Sequence, residues 1–126
     1  MGILNITPDS FSDGGFYNSI DRAVNRARQL IIDGADILDI GGESTRPGSS
    51  KLSIKEELNR VIPVIKEIRK NNKDILISID TYRSEVAKQS IASGANIIND
   101  ISGLVLDEKM AGVAASLDVP VVLMHL

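Results

Sequence analysis

The sequence predicts an α/β fold in which a parallel sheet carries helices on its outside. Three observations lead there. Short apolar runs recur along the chain, they are continuous rather than alternating, and amphipathic stretches of helical spacing separate them. A βαβα order of this kind makes a parallel sheet, because each crossover returns the chain to the same end of the sheet.

The first run is Gly2 to Ile6. Ile20, Ala23, Val24, Ala27, Leu30 and Ile31 then keep one helical face, and Gly34 follows as a stop. The second run is Ile37 to Ile40. Ser53-Ile54-Lys55-Glu56 has the form of a capping box, and Leu58, Val61, Ile62, Ile65 and Ile68 give the apolar face of a second helix. Pro63 lies inside that helix and is expected to kink it or remove one hydrogen bond. Ile75 to Ile79 is the third run. Val86, Ala87 and Ile91 mark a third helix that ends at Gly94, and Ile97 to Ile98 is the fourth run. Asp107 is placed to cap a fourth helix, with Met110, Val113, Ala114 and Leu117 facing inward, before the last run, Val119 to Met124.

Gly34-Ala35-Asp36-Ile37-Leu38-Asp39 resembles Gly94-Ala95-Asn96-Ile97-Ile98-Asn99. Each is a helix stop leading straight into a strand, which suits a repeated βα barrel unit better than a doubly wound sheet. Five strands do not close a (β/α)8 TIM barrel, which takes eight in roughly 250 residues. An open arc would leave bare edges and an uncovered inner face. The expectation is one partial barrel domain over residues 1–126, holding about the first five strands and four helices of a longer object or one completed by another chain.

Composition narrows the function classes. The chain has 43% hydrophobic and 25% charged residues, as a globular protein does. A net charge of -3, from 14 basic and 17 acidic residues, does not suit a nucleic-acid surface. The absence of cysteine excludes disulfides and thiolate metal sites. No apolar run approaches the ~20 residues of a membrane span, and the first residues lack the pattern of a signal peptide, so the cytoplasm is the expected location.

In a parallel barrel the active site lies at the carboxyl ends of the strands. There the sequence puts Asn5, Asp80, Asn99 and His125. Two long loops join them. In Thr7 to Gly15, Asp9 and Asp13 flank Phe11; the carboxylates either stabilise a developing cation or belong to a solvated connection. In Gly41 to Ser50, paired glycines allow a ligand close to the backbone. Arg46, between Thr45 and Pro47, either clamps an anion or pairs with Glu43 or another surface acid. Asp80 ends a very apolar strand, so it either binds a polar ligand or caps the next helix through Thr81 and Tyr82. Asn99 and Asp100 should point to opposite faces; Asn99 suits the edge of a heterocycle, and the other makes a structural bond. His125 receives no role. There is no zinc cluster, dinucleotide loop, Walker lysine or Ser-His-Asp arrangement.

Together these segments resemble the dihydropteroate synthase family. Met1 to Gly15, Asp39 to Gly48, Ser78-Ile79-Asp80-Thr81, Asn99 to Gly103 and Met124-His125 are similar to its successive signatures, in order over the whole chain. The resemblance implies a TIM barrel, homodimeric at full length, in which 6-hydroxymethyl-7,8-dihydropterin pyrophosphate loses pyrophosphate and its methylene carbon is captured by the amine of p-aminobenzoate. It further implies that Asn5 helps hold a Mg²⁺–pyrophosphate group, and that Asp80 and Asn99 grip the pterin. Asp9, Phe11 and Asp13 would belong to a mobile loop closing over the reacting centre. Thr45, Arg46 and Pro47 would lie beside p-aminobenzoate, where sulfonamides compete. The family's further aspartate, lysine and arginine fall on later strands, so the 126 residues alone are expected not to turn over. Two competing readings are a methyltetrahydrofolate-binding corrinoid methyltransferase domain and a non-catalytic half-barrel that serves as an interaction module.

Overall fold

The computed structural model describes residues 1–6, 15–42 and 52–123. The element order is β1 (Gly2–Asn5), α1 (Gly15–Ile32), β2 (Ile37–Gly41), α2 (Ile54–Asn71), β3 (Leu76–Asp80), α3 (Ser84–Ser93), β4 (Ile97–Asp100), α4 (Met110–Leu117) and β5 (Val121–Leu123). The expected five strands and four helices are all present. Every strand pair is parallel, and the spatial order is β1-β2-β3-β4-β5. A sheet that never reverses its order is wound in one direction. Right-handed crossovers then place successive helices on one face, as in a barrel and unlike a doubly wound sheet.

Burial along the strands shows the two faces. Leu4, Leu38, Ile40, Ile77, Ile79 and Ile98 point to the helices and join Ala27, Val61, Val64, Ile65, Ile68, Val86, Ala87 and Met110 in one core. Residues of opposite parity face the concave side, where Ile3 is 62% and Leu76 43% exposed. Burial alternates only in β1; in β2, β3 and β4 the concave-side residues Asp39, Ser78 and Asn99 are buried as well.

The helix ends explain the repeat. Gly34 has φ 107° and Gly94 φ 129°, conformations that favour glycine. In each copy the following alanine N–H reaches back to a carbonyl five residues earlier, Ala35 to Leu30 and Ala95 to Ser90, both at 3.0 Å. A third copy ends α4: Asp118 takes a left-handed φ of 52°, and Val119 donates to Ala114. The sequence repeat misses it because the position is Asp rather than Gly.

At α2 the box is half formed. The Glu56 N–H donates to Ser53 Oγ at 3.1 Å, while the Glu56 carboxylate takes the serine hydroxyl at 3.1 Å. The helix continues through Pro63. The expected bond of Asp107 at the start of α4 forms, its Oδ1 accepting the N–H of Lys109 at 2.9 Å. Its Oδ2 also accepts the N–H of Ser84 at 2.7 Å, the first residue of α3. The reason is local: the residue before α3 is Arg83, whose side chain makes no cap bond, so a loop aspartate serves that helix instead. The Ser84 N–H holds the Asp107 carboxyl below its usual range.

A candidate active site at the carboxyl ends of the strands

Strand register sets the site. Asn5 pairs with Gly41, Gly41 with Asp80, and Asp80 with Asn99. These four residues form one row across the carboxyl end of the sheet, on the concave face. The row joins three of the expected site residues with the first glycine of the second loop. A methyl group at Gly41 would lie 3.3 Å from Asp80 Oδ2 and 3.6 Å from Asn5 Oδ1. The missing side chain is thus what leaves space between the amide and the carboxylate.

Asp80 is half-buried, and its pKa is raised to about 6. Burial is the main cause, followed by the nearby charges of Asp39, Glu57 and Asp100. Among the described residues no hydrogen bond reaches its carboxylate. The capping alternative is not realised: Thr81 Oγ1 accepts the N–H of Arg83 at 3.1 Å and donates to Glu57 at 2.7 Å. Among the described residues, nothing takes up either oxygen of Asp80.

Asn99 and Asp100 divide as expected. Asp100 is fully buried on the helix side, and it accepts from the N–H and hydroxyl of Ser102 at 2.8 and 2.7 Å and from the N–H of Leu104 at 3.2 Å. It shapes the β4–α4 turn. Asn99 lies on the concave side, with its amide nitrogen 3.2 and 3.3 Å from the two carboxylate oxygens of Asp39.

Two buried groups were not singled out from the sequence. Asp39 sits one row below Gly41 in β2, accepts the Ser78 hydroxyl at 2.9 Å and is 6% exposed. The available signal was a single carboxylate within Ile37-Leu38-Asp39-Ile40. Glu57, in the first turn of α2, receives Arg83 Nη1 at 2.7 Å. Its signal was an acid next to the apolar stripe that Leu58 and Val61 begin.

Asp9, Phe11, Asp13, Thr45, Arg46, Pro47 and His125 lie outside the described residues. Among the described residues no three acidic or histidine side chains gather as a metal cluster. Asn5 offers one neutral oxygen at an exposed strand end. A hard cation held mainly by substrate phosphates fits such a donor, since Mg²⁺ keeps few protein ligands in phosphate sites. No described helix is long and apolar enough to cross a membrane.

The family model described as "Pterin binding enzyme" matches residues 1–126. A dihydropteroate synthase of Clostridium beijerinckii is 58% identical over 125 residues, covering 99% of this chain and 46% of that protein. The crystal structure of a dihydropteroate synthase from Clostridium difficile with pteroic acid has a TM-score of 0.90 at 52% identity, covering 96% of this chain and 46% of that one. The Xanthomonas albilineans dihydropteroate synthase with 4-aminobenzoic acid has a TM-score of 0.91 at 48% identity, covering 100% and 46%. The chain spans about half the length of the curated relatives it matches. With a family model covering every residue, and relatives that share more than half of its positions, the chain belongs to the pterin binding enzyme family.

Proposed function

We infer that the chain supplies the pterin-holding half of a dihydropteroate synthase, which condenses 6-hydroxymethyl-7,8-dihydropterin pyrophosphate with p-aminobenzoate to give 7,8-dihydropteroate and pyrophosphate. The observation that carries this reading is the row Asn5–Gly41–Asp80–Asn99, in a chain 58% identical to a synthase. A half-buried carboxylate and an amide, side by side on a rigid sheet, match the hydrogen-bonding edge of a flat heterocycle. Pteroic acid and 4-aminobenzoic acid in the two solved relatives are the product-like and substrate-like ligands that this reaction calls for.

Asp80 would accept N–H groups of the pterin as a carboxylate. Bonds of this kind favour the charged form, so a bound pterin would draw the pKa back down. Asn5 would hold Mg²⁺, which, when bound, neutralises charge on the departing pyrophosphate. Asp9 and Asp13 would stabilise the cationic methylene carbon, with Phe11 excluding water beside them. Thr45, Arg46 and Pro47 would hold p-aminobenzoate, with the guanidinium on its carboxylate. The whole protein would be a cytoplasmic homodimer, and residues 1–126 alone would not turn over.

The test is formation of dihydropteroate from the two substrates by the whole protein in the presence of Mg²⁺. Product that depends on p-aminobenzoate supports the reading. Methyl transfer from methyltetrahydrofolate to a corrinoid, independent of p-aminobenzoate, would replace it.

A further inference from the structure

Asp39 is a carboxylate in the middle of an apolar strand, 6% exposed, and among the described residues no cation pairs with it. Burying such a charge is costly unless its hydrogen bonds do something. Its partners are the Ser78 hydroxyl at 2.9 Å and the Asn99 amide nitrogen at 3.2 and 3.3 Å. Ser78 lies on β3, directly beside Asp39 in register, whereas Asn99 lies on β4 and one row nearer the carboxyl end. The Asn99 side chain therefore reaches across β3 to meet Asp39.

This contact decides which way round the Asn99 amide sits. A free asparagine can present either its oxygen or its NH₂ group to a ligand, at nearly equal cost. Here a reversed amide would set a carbonyl oxygen against two carboxylate oxygens, an arrangement with no proton to share. The NH₂ group is held by Asp39, and Oδ1 has no partner among the described residues. Asp80, the next residue in the row, likewise offers oxygens only when ionised.

The geometry points to Asp39 as a positioning residue: by holding the Asn99 NH₂ group it turns an oxygen toward the ligand, so the Asp80–Asn99 pair selects a ligand edge that carries hydrogen-bond donors. The inference rests on the pterin reading above. It adds a residue that does not itself touch the ligand, and it fixes the polarity of one that does.

The experiment is calorimetric titration of the protein with pteroic acid, with thermal unfolding of each variant alongside. Asp39→Asn keeps the shape and removes the charge, so the Asn99 amide is free to reverse. Affinity should fall about ten- to a hundredfold, the range for a hydrogen bond to a charged group. The exchange Asp39→Asn with Asn99→Asp rebuilds the bond with donor and acceptor swapped, and again presents an oxygen. It should regain affinity to within about tenfold of the parent. Ser78→Ala removes the other donor to Asp39 and leaves Asn99 held; it should lower the melting temperature with less than about a twofold change in affinity.

A purely structural Asp39 would make affinity follow stability in all three variants, and that pattern overturns the inference. So does parental affinity in a folded Asp39→Asn protein, or an exchanged protein that folds and does not bind. Should Asp39→Asn alone fail to fold, the exchanged pair decides the matter. Absence of pteroic acid binding by the parent protein overturns the pterin reading itself, which is a different result from loss in the variants alone.

Discussion

Arg83 and Glu57 meet at 2.7 Å, with the glutamate side chain 1% and the arginine 12% exposed. The pair joins the β3–α3 connection to the first turn of α2. Thr81 adds a hydrogen bond to the other carboxylate oxygen at 2.7 Å, and Arg83 also donates to the carbonyl of Leu52 and lies 4.9 Å from the Tyr82 ring centre. The β3–α3 connection that follows Asp80 is thereby tied to the start of α2 through one buried carboxylate.

Glu57→Ala should therefore cost about 3–5 kcal/mol, the range for removing one partner of a buried ion pair. Chemical denaturation would show a lower midpoint at unchanged slope. A loss below about 1 kcal/mol, typical of an exposed pair, would contradict the burial.

The raised pKa of Asp80 gives stability a pH dependence. The folded value of about 6 lies above the ordinary 3.8, so the folded protein holds this proton more tightly than the unfolded chain. The contribution is fully present below pH 3.8 and is lost as pH rises to about 6. Asp80→Asn should match the parent at low pH and exceed it above pH 6 by about 1–2 kcal/mol, a figure reduced for the group's partial exposure. Unfolding at pH 4 and pH 7.5 measures the difference. Pteroic acid affinity should move the other way, rising with pH through about 6 as the carboxylate forms, with Asp80→Asn losing that dependence.

Gly41 and Gly42 should respond differently to alanine. Gly41 has no positive φ, and its added methyl would meet Asp80 and Asn5 at 3.3–3.6 Å, so Gly41→Ala should fold nearly as well as the parent and bind pteroic acid more weakly. At Gly42 the methyl would come within 3.0 Å of Val61 Cγ1 and 3.4 Å of the Glu57 carbonyl, so Gly42→Ala should lose about 1–3 kcal/mol by overpacking. Equal binding by parent and Gly41→Ala would show that the space between Asn5 and Asp80 is not used.

Asp118 occupies the left-handed position that Gly34 and Gly94 fill at the other two repeated helix ends. Asp118→Gly removes the Cβ cost of that conformation, offset by added freedom in the unfolded chain. A gain of about 0.5–1 kcal/mol is expected, read as a higher melting temperature. Gly94→Ala should do the reverse, and more strongly, because its methyl would also press on Arg69 Cγ at 3.0 Å.

Much of this molecule was legible from local pattern. Apolar runs and helical spacing located all nine elements, Gly34 and Gly94 marked two helix ends, and the strand-end positions of Asn5, Asp80 and Asn99 pointed to one face of the sheet. These features depend on residues within a turn or a strand of one another, where steric and hydrogen-bond preferences act without the rest of the chain. The tertiary structure alone decided the partners of the buried charges. Asp39 meets Asn99 across 60 residues, Glu57 meets Arg83 across 26, and Asp107 caps a helix 23 residues before it as well as meeting the turn into the one that follows. Such pairings arise from register and packing: a carboxylate carried into the interior by its strand or helix takes whichever donors the neighbouring elements bring there, and nothing local to Asp39, Glu57 or Asp107 specifies which.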